Sequence, residues 1–182
     1  LDRLILEQIA SLLRENKDLI RLAIRQRAKF EGWLKFELAN RIEKLGFSEV
    51  ELEKKLQQKR DRPDISFLKD FDFYSIELKT CNTSWNINGI PKKGKPITDN
   101  IKGIIRDAKK LNSNYGIVAF VMFPIPTNDL RWCTYIERIK EKTEIEIDYE
   151  KNCKILNMEI DEMNTCDVLV CVFMSRIFHN WY

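Results

Sequence analysis

Two short stretches of this sequence place acids and a base at spacings that chemistry can use. The first is Arg62-Pro63-Asp64-Ile65; the second, thirteen residues after Asp64, is built around Ile76-Glu77-Leu78-Lys79. Alternate side chains of a strand share a face, so Glu77 and Lys79 point one way while Ile76 and Leu78 point to the opposite, buried side. A partner strand beginning at Asp64 brings a second carboxylate beside Glu77, and two acids and an ammonium then meet at one end of a sheet. Asp64 and Glu77 offer hard oxygens to a magnesium ion, with manganese as a substitute and the Leu78 carbonyl as a helper. Magnesium keeps several of its waters and bridges to a phosphate oxygen. Lys79 lies where it can orient, or help deprotonate, the water that attacks phosphorus, and the ion stabilises charge building on the phosphoryl oxygens. A carboxylate-lined site without the ion would repel a phosphodiester, so the cation is integral to this reading.

Composition removes the main competitors. The 182 residues contain one histidine, His179, near the C-terminal end. That argues against Ser-His-Asp triads, His-metal-finger nucleases and HExxH zinc hydrolases, each of which needs histidine in a built site. The five cysteines (Cys81, Cys133, Cys153, Cys166 and Cys171) are dispersed without a CxxC pair. They read as reduced thiols of a cytoplasmic protein, with Cys166 and Cys171 as packing residues and zinc improbable. A chain 44% hydrophobic with a net charge of +3 is expected to fold rather than stay disordered. No apolar run approaches the roughly 18 residues of a membrane span, and no leader pattern opens the chain. Because it begins on Leu1, an initiator Met is expected to be missing.

The elements that must position the acids follow from periodicity. Apolar positions from Leu4 to Ile24 have helical spacing with a break near Asn16, giving one long helix or two short ones. A helix from about Phe30 to Leu45 ends at Gly46. A short strand is expected over Phe47 to Leu52, then a basic stretch from Lys54 to Arg62 that reads as a solvated turn. Ile65 to Leu68 and Phe73 to Lys79 form a hairpin, and Thr80 to Ile97 a long loop. Thr98 is placed as the N-cap of a helix running to Leu111. Gly116 to Phe123 is a strand buried on both faces and ended by Pro124 and Pro126. Beyond it come a helix over 127–140, a hairpin from Thr143 to Ile160 turning at Lys151-Asn152, and a strand over Val168 to Met174.

Pro63-Asp64 followed by Glu77-Leu78-Lys79 resembles the signature of the PD-(D/E)XK nuclease superfamily, the restriction-endonuclease-like fold. Its core runs helix, three strands, helix, strand, with the acids on the second and third strands, and residues 30–123 fall into that order. The resemblance implies an α/β fold, a mixed central sheet flanked by helices (α-β-β-β-α-β), in one domain. Residues 1–29 would form an N-terminal helical arm, 30–123 the catalytic core and 124–182 a β-containing extension. It implies a magnesium-dependent endonuclease acting on DNA, or the same fold as a catalytically silent nucleic-acid-binding or protein-interaction module. Many members carry a further acid on the first core helix. Glu31 and Glu37 are the candidates; the acid-then-aliphatic run Glu31, Leu34, Leu38, Ile42 resembles resolvase-like members and favours Glu31, while Glu37 can pair with Arg41.

Lys92, Lys93, Lys95 and Lys102, with Trp85 in the preceding loop, are the candidate nucleic-acid contacts, since lysine at phosphate and an aromatic nearby suit that ligand. Lys109 and Lys110 read as a solvated helix face. A whole-chain charge of +3 makes any basic footprint a local one. Cutting both strands of DNA needs two sites, which makes a homodimer attractive.

Overall fold

The chain's first 27 residues fold as two helices, because Asn16 leaves helical geometry between them. The computed structural model describes residues 1–54, 62–91, 96–111 and 115–175. Helix α1 (Asp2–Glu15) and helix α2 (Lys17–Gln26) bury Ile5, Ile9, Leu12, Leu13, Ile20 and Ile24. These N-terminal helices are thus part of the core. Helix α3 (Glu31–Lys44) buries Leu34, Leu38 and Ile42. It stops before Gly46, whose φ of +86° suits the turn into the sheet.

Strand β1 (Ser48–Leu52) opens the sheet, followed by the hairpin of β2 (Ile65–Lys69) and β3 (Asp72–Asn82). Helix α4 (Ile97–Lys110) crosses over to β4 (Tyr115–Ile125), which runs parallel to β3. The N-cap of α4 is Pro96, not Thr98, and no side chain caps it. Strand β4 continues through Pro124 to Ile125, because its ladder with the next strand already shifts register between Met122 and Ile125, where a missing N–H is tolerated.

After helix α5 (Arg131–Thr143) the chain departs from the expected hairpin at Lys151-Asn152. The Asp148 side chain accepts from the N–H groups of Glu150 and Lys151 and caps a single turn, α6 (Tyr149–Asn152). The hairpin forms one element later, between β5 (Cys153–Glu159) and β6 (Thr165–Met174). The result is one six-stranded mixed sheet of order β1-β2-β3-β4-β6-β5, in which only β3 and β4 are parallel.

Alternation along the central strands sorts the core into two layers. Ile76, Leu78, Ile117, Ala119, Val121, Val168, Val170 and Val172 face α1, α2 and α3. Val118, Phe120, Met122, Leu169, Cys171 and Phe173 face α4 and α5. All five cysteines are free, with Cys81, Cys166 and Cys171 buried. Among the described residues no helix is long and apolar enough to cross a membrane.

Candidate active site

The sheet edge creates the site. Pairing of β2 with β3 starts at Ile65↔Ile76, yet β3 runs on to Asn82, so its later residues outrun their neighbour on that side. Two of the N–H groups beyond the pairing find carboxylates instead: Leu78 N–H donates to Asp64 Oδ2 and Thr80 N–H to Glu31 Oε2, each at 2.8 Å. Backbone donors left without a strand need such partners. The acids are therefore held by the main chain of β3, from β2 on one side and from the first turn of α3 on the other. Continuing the ladder one step past Ile65↔Ile76 sets Asp64 opposite Glu77, as the sequence predicts. Asp64 is also anchored through its carbonyl, which accepts from Glu53 N–H at 3.3 Å.

Glu77 and Lys79 point away from Ile76 and Leu78, toward α4, which answers them with a charge pair of opposite order. Lys110 Nζ lies 2.8 Å from Glu77 Oε1, and Lys79 Nζ lies 2.8 Å from Asp107 Oδ2. The stem of Lys79 passes over Gly103, where a Cβ would stand 3.7 Å from Lys79 Cε. On the α3 side, Lys35 pairs with Glu53 and stands 3.6 Å from Asp64 Oδ1.

These placements set protonation. Glu77 is only 6% exposed. Burial pushes its carboxyl above the usual range, Lys110 opposes that, and the like charges of Asp64 and Asp107 add to it. For Lys79, burial acts to lower the ammonium's value, but Asp107, with Glu31 and Glu77 behind it, outweighs burial and the net shift is upward. The net upward shift keeps Lys79 a positive charge at neutral pH.

Asp64 bears on Glu77, and Glu31 and Glu77 bear on Lys79, as neighbouring charges. Glu37 lines a shallow surface hollow with Gln8, Asn40 and Arg41, and Arg41 pairs with Glu15 rather than with it. Trp85 is not at the surface. It is 8% exposed, with the Arg131 guanidinium 4.5 Å above its ring and Tyr135 beside it, so it packs rather than awaiting a base. Lys102 is exposed and 3.6 Å from Asp99. Lys92, Lys93 and Lys95, most of the Lys54–Arg62 stretch and His179 lie outside the described residues. Lys110 belongs to the site rather than to a solvated face. Asp107 and Lys35 were not anticipated, although Asp107 interrupts the apolar stripe Ile97, Ile101, Ile104, Ala108 of α4, a signal visible in the sequence.

Asp64 and Glu77 form a donor pair suited to a hard cation that keeps most of its own water. Glu77 is buried beside two other acids, and each of the three carboxylates has a lysine ammonium within 4 Å. Among the described residues no group of three or more His, Cys, Asp or Glu is arranged to hold a metal. A magnesium ion bound by two carboxylates would take its remaining oxygens from water and phosphate, as this ion commonly does.

The chain matches no protein-family profile, no curated protein and no solved structure.

Proposed function

We propose that this chain is a divalent-cation-dependent nuclease of restriction-endonuclease-like fold that hydrolyses phosphodiester bonds of DNA. The observation that carries the reading is the meeting of Asp64, Glu77 and Lys79 at a sheet edge, with Glu31 on the adjoining N–H. The element order from α3 to β4, helix, three strands, helix, strand, supports it.

Asp64 and Glu77 would hold the ion, which supplies Lewis-acid stabilisation of phosphoryl charge. Asp64 keeps its orientation through Leu78 N–H on Oδ2, which leaves Oδ1, with Lys35 at 3.6 Å, as the oxygen that would face an ion. Lys79, permanently protonated, donates a hydrogen bond to the incoming water or to a phosphate oxygen and counters the growing negative charge. Glu31, at the first residue of α3, is held in place by Thr80 N–H and adds a second acid next to Lys79. On α4, Lys102 and Arg106 are each 79% exposed, and Lys109 is exposed one turn further on, a basic stripe suited to backbone phosphates beside the site.

The second reading is a nucleic-acid-binding or protein-interaction module without turnover. It is favoured by the ion pairing of the site's groups, Asp64 with Lys35, Glu77 with Lys110 and Lys79 with Asp107. Incubation of the purified chain with supercoiled plasmid and Mg2+ or Mn2+ separates the two. Nicked or linear product is expected, absent in chelator and reduced at least about a hundredfold by Asp64→Ala or Lys79→Ala, the scale of losing one preorganised charge. Binding without cleavage by the parent chain supports the module, and equal cleavage by parent and variants refutes the assigned residues.

A further inference from the structure

We infer that Lys110 is a resident counter-cation of this site, seated on Glu77 until a divalent ion displaces it. The inference rests on the nuclease reading above and concerns how the ion gains entry. Lys110 occupies the last turn of α4, and its ammonium is 2.8 Å from Oε1 of Glu77. That carboxylate is buried, and Asp64 and Asp107 bear on it as like charges. A carboxylate so placed must either take up a proton or find a cation. Lys110 provides the cation from within the chain.

The same contact stands in the way of a ligand. An ammonium on Oε1 occupies an oxygen through which Glu77 would bind the ion, and two cations at one carboxylate repel each other strongly in a partly buried setting. Asp107, three residues earlier on the same helix, already holds Lys79. Lys110 has a way out: its side chain is 26% exposed and carried on a flexible four-carbon stem. Entry of the ion therefore exchanges one cation for another at Glu77 and turns the Lys110 ammonium toward solvent, on the side where Arg106 and Lys109 are exposed. An empty site stays electrically balanced, and affinity for the ion is lowered by the contact that must be broken.

Calorimetric titration of Mn2+ into the chain, with no nucleic acid present, tests this. Lys110→Met should bind Mn2+ about tenfold more tightly than the parent. In chelator it should melt at a lower temperature, and Mn2+ should recover the difference. Lys110→Gln, which can still donate a hydrogen bond to Glu77, gives the same affinity gain should the Met variant fold poorly. Glu77→Gln should lose the binding. Equal or weaker Mn2+ binding by both Lys110 variants, with the parent binding normally, overturns the counter-cation role and leaves the nuclease reading intact. No Mn2+ binding by any of the four proteins, or full binding by Glu77→Gln, overturns both.

Discussion

Glu77 is the residue at which stability and chemistry pull in opposite directions. Its folded-state carboxyl lies above the ordinary value, chiefly through burial. The folded chain therefore binds this proton more readily than the unfolded chain does, and stability falls as pH rises from the ordinary carboxylate range through the raised value. Glu77→Gln keeps an acceptor for Lys110 and removes the charge, so it should melt at a higher temperature than the parent at pH 7. The gap should close toward pH 4, as followed by circular dichroism, while cleavage is lost. Lys79 has a dependence of the same sign in a more alkaline window: its raised value contributes stability present below the ordinary lysine range and lost as pH climbs through the shifted one. Asp64, Glu77 and Lys79 were legible because period-two arithmetic holds across a hairpin and needs no knowledge of the rest of the fold. Lys35, Asp107 and Lys110 were not, since the phase of a helix against a sheet is fixed by the whole crossover and leaves only a trace, here one acid in the apolar stripe of α4.

Among the elements, the segment from Thr83 to Pro91 shows how a long connection is held without strands of its own. Arg27, in left-handed conformation at the end of α2, is buried and donates to the carbonyls of Thr83, of Trp85 at 2.7 Å and of Pro91 at 2.8 Å. Its own carbonyl accepts from Asn82 Nδ2 at 2.9 Å, and Asn100 at the start of α4 donates to Asn82 O at 3.1 Å. Arg27 thus joins the helical layer to the path that leads from β3 into α4. Arg27→Met leaves three carbonyls unpaired, and the variant should lose about 3 kcal/mol in urea denaturation. Amide exchange should rise first over residues 83–91. The sequence marks this segment as polar loop; the burial of Trp85, Ile87 and Ile90 was hidden because a guanidinium from residue 27 closes it. The Lys151-Asn152 turn misled for a similar reason: alternating Glu and Ile look like strand until Asp148 caps a helical turn among them.

For the whole molecule, the sheet is what makes a site from residues 31, 64, 77, 79, 107 and 110, which no local segment contains. The two central parallel strands, buried on both faces, fix β3 against β4, and the helices on either side then deliver Glu31 and Lys35 from one layer and Asp107 and Lys110 from the other. Strands β6 and β5 extend that same sheet beyond β4, so the C-terminal part of the chain shares its core rather than forming a separate unit. The order α-β-β-β-α-β was readable in advance because apolar runs and turn residues mark it. The strand order beyond β4 was not, as it depends on pairings far apart in sequence. If this assembly is a cation site, crystals of the chain soaked in Mn2+ should show one strong anomalous-scattering peak bonded to both Asp64 and Glu77. A fully occupied peak elsewhere, or none at millimolar Mn2+, would contradict the account at its centre.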